Sequence, residues 1–186
     1  EVGQPGTPAP KIAKDYITNE INKNNLGYTV SLGLPALRTK ISKLYGDWYN
    51  LDLNPNRIVV TTGSSGAFIL SFSALFDSGD RVGIGSPSYP SYRQILKSLS
   101  LETVDIQTRL QNRFQPVPED ITDNNLNGIL VASPANPTGS MLDKQSLENL
   151  INTANENNVS FISDEIYHGI QYENNPTSAL EITDNC

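Results

Sequence analysis

The chain has 186 residues, of which 37% are hydrophobic, so it is long enough for one domain with a buried core. A formal net charge of −7 opposes the basic surface that nucleic acid or an anionic membrane attracts, so we expect neither as a partner. A single cysteine, Cys186, and a single histidine, His168, exclude an internal disulfide and multi-histidine metal motifs, and we predict no metal site. Without a run of about 18 apolar residues or a signal-peptide pattern, we expect a cytoplasmic protein.

The amino-terminal part of the chain predicts an extended arm followed by two helices. Prolines and glycines are frequent over residues 1–10, which favours an extended segment. Apolar residues at helical spacing then predict helices over residues 10–25 and 34–51. Gly27 ends the first helix, and Pro35 suits the first turn of the second.

From residue 57 onward, short β-branched or apolar runs alternate with helical patterns. We predict strands over residues 57–62, 81–84, 101–106, 128–132 and 159–163, and helices over 67–76, 89–99 and 143–157. Residues 107–118 are predicted to be an irregular loop. Strands that alternate with helices of this length form right-handed crossovers and a parallel sheet covered on both faces. The pattern therefore predicts an α/β fold with three layers, α-β-α.

Functional residues are expected where the strands end, because ligands of such sheets lie beyond the carboxyl ends of the strands. The first strand ends in Gly63-Ser64-Ser65-Gly66 and a helix, whose free N–H groups and two hydroxyls suit a phosphate. The alternative is a simple turn. The second strand is followed by Tyr89, which either presents a flat ring at the same edge or packs in the core.

The last two strands of the chain end in polar residues that can orient a ligand. Two prolines flank the dipeptide that contains Asn136, so its amide offers a directed hydrogen bond, unless the segment is only an Asn-Pro turn. Asp164 directly follows an apolar strand, and a partly buried carboxylate there needs a cationic partner. Tyr167 points the same way if a turn follows; the alternative is a helix-capping aspartate with a surface tyrosine. We expect His168 to be structural or supporting rather than catalytic.

Taken together, the strand ends describe one ligand with a phosphate, a flat ring, a hydrogen-bond acceptor and a protonated ring nitrogen. Pyridoxal phosphate has all of these features. An aspartate at its pyridine nitrogen keeps the ring cationic, as an electron sink requires. We therefore predict pyridoxal 5'-phosphate as the cofactor.

The chain resembles the pyridoxal-phosphate-dependent aminotransferases of class I/II, fold type I, along nearly its whole length. The matching strings, in family order, are residues 3–5, Tyr28 with 33–38, 62–67, 86–90, 133–139 and 163–167. Asn-Pro-Thr-Gly at 136–139 and Ser-Asp-Glu-Ile-Tyr at 163–167 are the most specific. The resemblance implies an amino-terminal half: an arm, helix and interdomain loop over 1–34, and an incomplete cofactor-binding large domain over 35–186.

The resemblance also implies a role for each matching position. The positions assigned to the cofactor are Tyr28 (phosphate of the partner in a homodimer), Ser64, Ser65 and Gly66 (phosphate), Tyr89 (stacking on the ring), Asn136 and Tyr167 (ring hydroxyl) and Asp164 (ring nitrogen). Gly3 matches a glycine near the substrate carboxylate. The implied activity is transfer of an amino group from an amino acid to a 2-oxo acid.

Several family residues are expected beyond Cys186. These are the Schiff-base lysine, a second phosphate-binding arginine and the arginine that binds the substrate carboxylate. We therefore predict no catalytic residue within the chain and an inactive fragment of the enzyme. A carbon–sulfur β-lyase and a pyridoxal-phosphate-sensing regulatory domain remain alternatives, because they share the same fold and cofactor motifs.

The family sheet further implies that this chain lacks strands that would complete it. In the family, the last strands in chain order lie between the first strand and the others. The strand over 58–61 would then have no neighbour, and the sheet edge beside Phe161 would be open. We expect residues 1–186 alone to be poorly stable or to aggregate.

Overall fold

The computed structural model describes residues 6–23 and 27–186, and a parallel sheet forms the centre of that part. Its strands are β1 (Arg81–Ser86), β2 (Glu102–Gln107), β3 (Gly128–Ala132) and β4 (Ser160–Asp164). They lie side by side in the order β2-β1-β3-β4, and each neighbouring pair is parallel. The parallel pairing predicted from the alternating pattern is therefore confirmed.

The helices connect and cover these strands. They are α1 (Lys11–Lys23), α2 (Pro35–Tyr49), α3 (Gly63–Leu75), α4 (Pro90–Ser98), α5 (Pro118–Thr122) and α6 (Lys144–Glu156). The sequence pattern does not predict α5, a single turn that begins at a proline and whose Asp120 side chain accepts from the Val117 N–H at 2.8 Å. Over the described part of the chain, the helices are too short or too polar to cross a membrane.

Two apolar clusters on opposite faces of the sheet form the core. On one face, Phe72 of α3 and Leu96 of α4 pack against Leu130 of β3. On the other face, Ile151 of α6 packs with Ile129, the neighbour of Leu130 along β3. Since consecutive side chains of a strand point to opposite faces, β3 contributes to both clusters. The result is the predicted three-layer α-β-α arrangement.

The prediction of a sheet strand over residues 57–62 is wrong. Pro55–Arg57 is a 3₁₀ turn, and residues 58–62 form no ladder with the described strands. Ile58 is extended, and the Val60 N–H donates to the Leu32 carbonyl at 3.0 Å, in the loop before α2. β-Branched residues favour an extended backbone, but a strand needs a neighbour to pair with. The segment lacks a pairing partner in the described sheet. This agrees with the family sheet order, in which later strands lie between the first strand and the others.

Candidate functional site

The carboxyl ends of β3 and β4 bring the most specific sequence motifs together. Ala132 and Asp164 are register partners at the ends of these strands. The Ser133 N–H then donates to the Asp164 carbonyl at 3.1 Å, which carries the pairing one residue further. Segment 133–139 and segment 164–168 therefore leave the sheet side by side.

Asp164 is buried and held by hydrogen bonds at both carboxylate oxygens. The Tyr92 hydroxyl donates to Oδ2 at 2.5 Å, and the Ile166 N–H donates to Oδ1 at 3.2 Å. Burial, and then the bond to Asp164, raise the pKa of Tyr92, so this hydroxyl keeps the proton that it donates. Asp164 forms no ion pair within the described residues, and its predicted cationic partner, the protonated ring nitrogen of the cofactor, stays a prediction. A hydroxyl and an N–H satisfy the carboxylate, and its remaining lone pairs can accept from a ligand.

Asn136 and Tyr167 form a second polar pair at this edge. The Asn136 Nδ2 donates to the Tyr167 oxygen at 3.2 Å, so the tyrosine hydrogen remains available to a ligand oxygen. A turn rather than a helix follows Asp164, and Tyr167 is half-buried. The alternative of a helix-capping aspartate with a surface tyrosine is therefore excluded. We call Asp164, Asn136 and Tyr167, with Tyr92 that binds Asp164, the ring end of the site.

A buried glutamine holds the loop that contains Asn136. The Gln115 side chain amide donates to the Ala132 carbonyl at 3.1 Å and to the Ser140 carbonyl at 3.0 Å, which joins the two ends of the loop. The peptide bonds before Pro134 and Pro137 are cis. Sequence reasoning missed Gln115, because one glutamine in an irregular loop has no distinguishing pattern. It also missed Tyr92, although Tyr92 lies one helical turn after Tyr89.

The phosphate end of the site, which comprises Ser64, Ser65 and Gly66 at the start of α3, is less enclosed. The helix begins at Gly63 with φ +78°, a conformation that favours glycine, and no side chain caps its first N–H groups. An added Cβ at Gly66 would lie 3.2 Å from the Thr62 Oγ1, so the first turn fits closely on the preceding residues. These N–H groups and hydroxyls suit an anion.

Aromatic contacts connect the phosphate end to the ring end. Ser64 lies one turn before Phe68 on the same face of α3, and the Phe68 ring contacts Tyr92 edge to face at 5.1 Å. Tyr92 in turn contacts the ring of Tyr89 at 5.5 Å and binds Asp164. Tyr89 is 36% exposed at the start of α4, so it is not a core residue.

Of the two amino-terminal candidates, only Tyr28 lies within the described residues. The Tyr28 side chain is completely exposed and packs against no other candidate residue. Gly3 lies outside the described residues. The roles of both positions therefore stay predictions.

A cleft of about 510 Å³ opens beside the ring end. Asn136 and Tyr167 line one part of it, and Arg113 and Glu173 line another. Asp164 and the phosphate end do not line it. A small molecule in the cleft would therefore contact the Asn136–Tyr167 pair but not the carboxylate.

The donor set fits pyridoxal phosphate. Uncapped N–H groups with two hydroxyls suit its phosphate, the Asp164 carboxylate suits a protonated ring nitrogen, and the Asn136–Tyr167 pair suits a ring hydroxyl. Tyr89 offers a partly exposed ring beside Tyr92, which binds the carboxylate. Each chemical feature of the cofactor thus has a matching group at the start of α3 or α4, at the end of β4, or in the segments that follow β3 and β4.

Comparison with known proteins gives one consistent result. The family model described as aminotransferase class I and II matches residues 2–184. A valine–pyruvate aminotransferase of Mycobacterium tuberculosis is 42% identical over 179 residues, which are 95% of this chain and 46% of that protein. The chain spans about half the length of the curated relatives that it matches.

Solved structures agree with the sequence matches. A Silicibacter pomeroyi protein assigned to the aminotransferases has 55% identity and a TM-score of 0.92, over 100% of this chain and 48% of that one. An aminotransferase from Mycobacterium tuberculosis has 40% identity and a TM-score of 0.94, over 99% of this chain and 51% of that one. The predicted fold, including an incomplete large domain, is therefore confirmed.

Proposed function

Because the chain belongs to the class I and II aminotransferase family, we propose that the whole protein transfers an amino group from an amino acid to a 2-oxo acid with pyridoxal phosphate. The observation that carries the proposal is the buried Asp164 carboxylate beside the Asn136–Tyr167 pair. A carboxylate and a hydroxyl-binding pair at one sheet edge are what a pyridoxal ring requires. A simple anion or nucleotide site would not need this combination.

Each group of this chain has a defined task in the proposed reaction. When bound, pyridoxal phosphate supplies an electron sink for the carbon that bears the amino group. Asp164 holds the proton at the ring nitrogen, and its bonds from Tyr92 and Ile166 orient the carboxylate. Asn136 and Tyr167 bind the ring hydroxyl, and the first turn of α3 holds the phosphate.

We assign the substrate to the cleft beside Asn136 and Tyr167. Its lining includes both Arg113 and Glu173, so the charge of the lining does not favour an acidic side chain over a neutral one. The relatives include a valine–pyruvate and an aspartate aminotransferase, which act on a neutral and an acidic amino acid. Both amino acids therefore belong in the first assay.

We further propose that the whole protein is a homodimer. Tyr28 is completely exposed, which suits a side chain that reaches a partner subunit. The apolar residues Ile12, Tyr16 and Ile17 of α1 are each more than half exposed and lie at helical spacing. An amphipathic helix needs a surface to cover its apolar face, and a second subunit would provide one.

The test is a two-substrate assay of the complete protein with pyridoxal phosphate. We expect valine or aspartate to change the absorption of the bound cofactor, and pyruvate or another 2-oxo acid to restore it. Product formation should require both substrates. Sedimentation of the same sample would report the oligomeric state.

The alternatives give different results in the same assay. A carbon–sulfur β-lyase would release pyruvate, ammonia and a thiol from an S-substituted cysteine without a second substrate. A regulatory domain would bind the cofactor without turnover. Absence of amino transfer with a broad panel of substrate pairs would refute the proposal.

A further inference from the structure

His168 is buried and held by hydrogen bonds at both ring nitrogens. Its side chain is only 5% exposed. Nδ1 lies 2.6 Å from the Tyr49 hydroxyl oxygen, and Nε2 lies 2.9 Å from the Ser133 carbonyl oxygen. Glu165 is 3.7 Å from Nδ1, and its carboxylate accepts from Ser178 and the Ala179 N–H instead. The imidazole therefore connects α2 to the end of β3.

The partners of His168 determine which nitrogen bears the hydrogen of the neutral ring. A carbonyl oxygen can only accept, so Nε2 bears the hydrogen and donates to Ser133. Nδ1 is then an acceptor, and the Tyr49 hydroxyl donates to it. Burial, and then the nearby Glu165 carboxylate, raise the pKa of Tyr49, which keeps this donor protonated.

The bond to Ser133 acts on the loop that contains Asn136. Ser133 is the first residue after β3, and its Oγ accepts from the Leu142 N–H at 3.0 Å, on the far side of the loop. Tyr167, directly before His168, accepts from the Asn136 amide at 3.2 Å. Two consecutive side chains thus hold the two ends of segment 133–136.

Helix α2 supports the turn that contains His168. Gly169 has φ +92°, and an added Cβ there would lie 2.7 Å from the Trp48 ring. The last turn of α2 therefore packs directly on this turn through Trp48 and bonds to it through Tyr49. A displacement of His168 would therefore disturb its contacts with α2.

We propose that His168 is a positioning residue that sets the Asn136–Tyr167 pair for the ring hydroxyl of the cofactor, with Tyr49 fixing its tautomer. The inference rests on the proposed cofactor role of that pair. His168 itself contacts neither substrate nor cofactor in this assignment. Its effect passes through the Ser133 carbonyl at one end of segment 133–136 and through Tyr167 at the other.

Three substitutions of His168 separate this role from simple packing. His168→Gln places an amide N–H near the position of Nε2 and keeps the bond to Ser133. His168→Asn places its amide near Nδ1 and loses that bond, while His168→Phe loses both bonds. Tyr49→Phe removes the hydroxyl that donates to Nδ1 of His168. Tyr45→Phe is its matched control, since the Tyr45 hydroxyl makes no hydrogen bond within the described residues and lies one turn earlier on α2.

The complete protein gives two readouts for these variants. The first is the dissociation constant of pyridoxal phosphate, with the absorption maximum of the bound cofactor and the midpoint of its pH titration. We expect the Phe and Asn variants to bind about tenfold more weakly, which is the upper value for the loss of one hydrogen bond between neutral groups, and to shift the spectrum. The Gln variant and Tyr45→Phe should resemble the wild type, and Tyr49→Phe should lie between.

The second readout is the Asn136 Nδ2 to Tyr167 Oη separation in crystals of the cofactor-free protein. It should remain near 3.2 Å in the wild type and the Gln variant and exceed hydrogen-bond distance in the Phe variant. Equal spectra for Gln and Asn, or an unchanged separation in the Phe variant, would overturn the proposal. If the wild type binds no pyridoxal phosphate, the proposed function fails, and the separation alone decides the role of His168.

Discussion

At the ring end of the site, polar side chains of β4, of α4 and of the segments that follow β3 and β4 form hydrogen-bonded pairs, whereas at the phosphate end the first turn of α3 has no side-chain cap. Asp164 and Tyr92 are buried, with 8% and 3% exposure. The segment before α3 is outside the sheet, with Val59 50% exposed. The ring end is therefore determined by neighbouring strands within this chain.

Around the phosphate end, apolar side chains remain partly exposed because no other described residues cover them completely. Helix α3 is rich in apolar residues that are not confined to one face, which is typical of a helix buried on all sides. Yet Ile69 and Leu70 are 45% and 56% exposed. Strand β4 is also an edge strand, so one side of its backbone has no ladder partner in the described sheet. The two ends therefore differ: the ring end has its polar contacts within this chain, whereas the apolar side chains around the phosphate end are left partly exposed.

The largest effect is expected when residues 1–186 are expressed alone. Exposed apolar side chains on α3 and the free edge of β4 favour association over a stable monomer. We expect aggregation or a broad, irreversible thermal transition. The measurement is calorimetry combined with light scattering. A sharp, reversible, monomeric transition would show that the phosphate end needs no further cover.

The next largest effect is expected from Asp164→Asn at the ring end of the complete protein. The amide can still accept from Tyr92, so the fold should persist. A neutral amide does not hold the ring proton by charge, and turnover should fall by about 100-fold or more. Steady-state kinetics measure the loss, with Asp52→Asn, at an exposed aspartate away from the site, as control. Unchanged turnover would exclude Asp164 from the ring nitrogen.

A smaller effect is expected from Ser64→Ala at the phosphate end. Loss of one hydrogen bond to a charged group should weaken pyridoxal phosphate binding about tenfold. The absorption maximum should not move, because the ring end is intact. Ser73→Ala, on an exposed position of the same helix, is the matched control. The phosphate assignment would be contradicted if both variants bound the cofactor equally well, as measured by fluorescence titration.

The sequence predicts the α/β class and the edge at which the motifs meet, because strand and helix periods alternate and the ends of parallel strands share one edge. It does not predict the partner of Asp164 within the chain. The cation expected there is the ring nitrogen of the cofactor, and no pattern in the sequence indicates that the Tyr92 hydroxyl also reaches the carboxylate from α4. The contacts of Gln115 and of His168 with Tyr49 are equally hidden, since they join residues far apart in the chain. Such contacts depend on side-chain direction in the folded molecule, which periodicity does not encode.

The smallest effect is expected on the outer side of α4, where Arg93 forms an ion pair with Asp105 of β2, next to the buried Tyr92. The guanidinium hydrogen bonds lower the pKa of Asp105 below its usual value. A lowered folded-state pKa contributes stability above the unfolded pKa of about 3.9, and this stability is lost as the pH falls through the folded pKa. Both side chains are about a third or more exposed, so Asp105→Asn should cost less than about 1 kcal/mol at pH 7 and nothing in strong acid. Denaturant unfolding of the complete protein at both pH values measures this difference. A larger cost at pH 7 would mean that the exposed ion pair, and not the buried face with Tyr92, fixes α4 on the sheet.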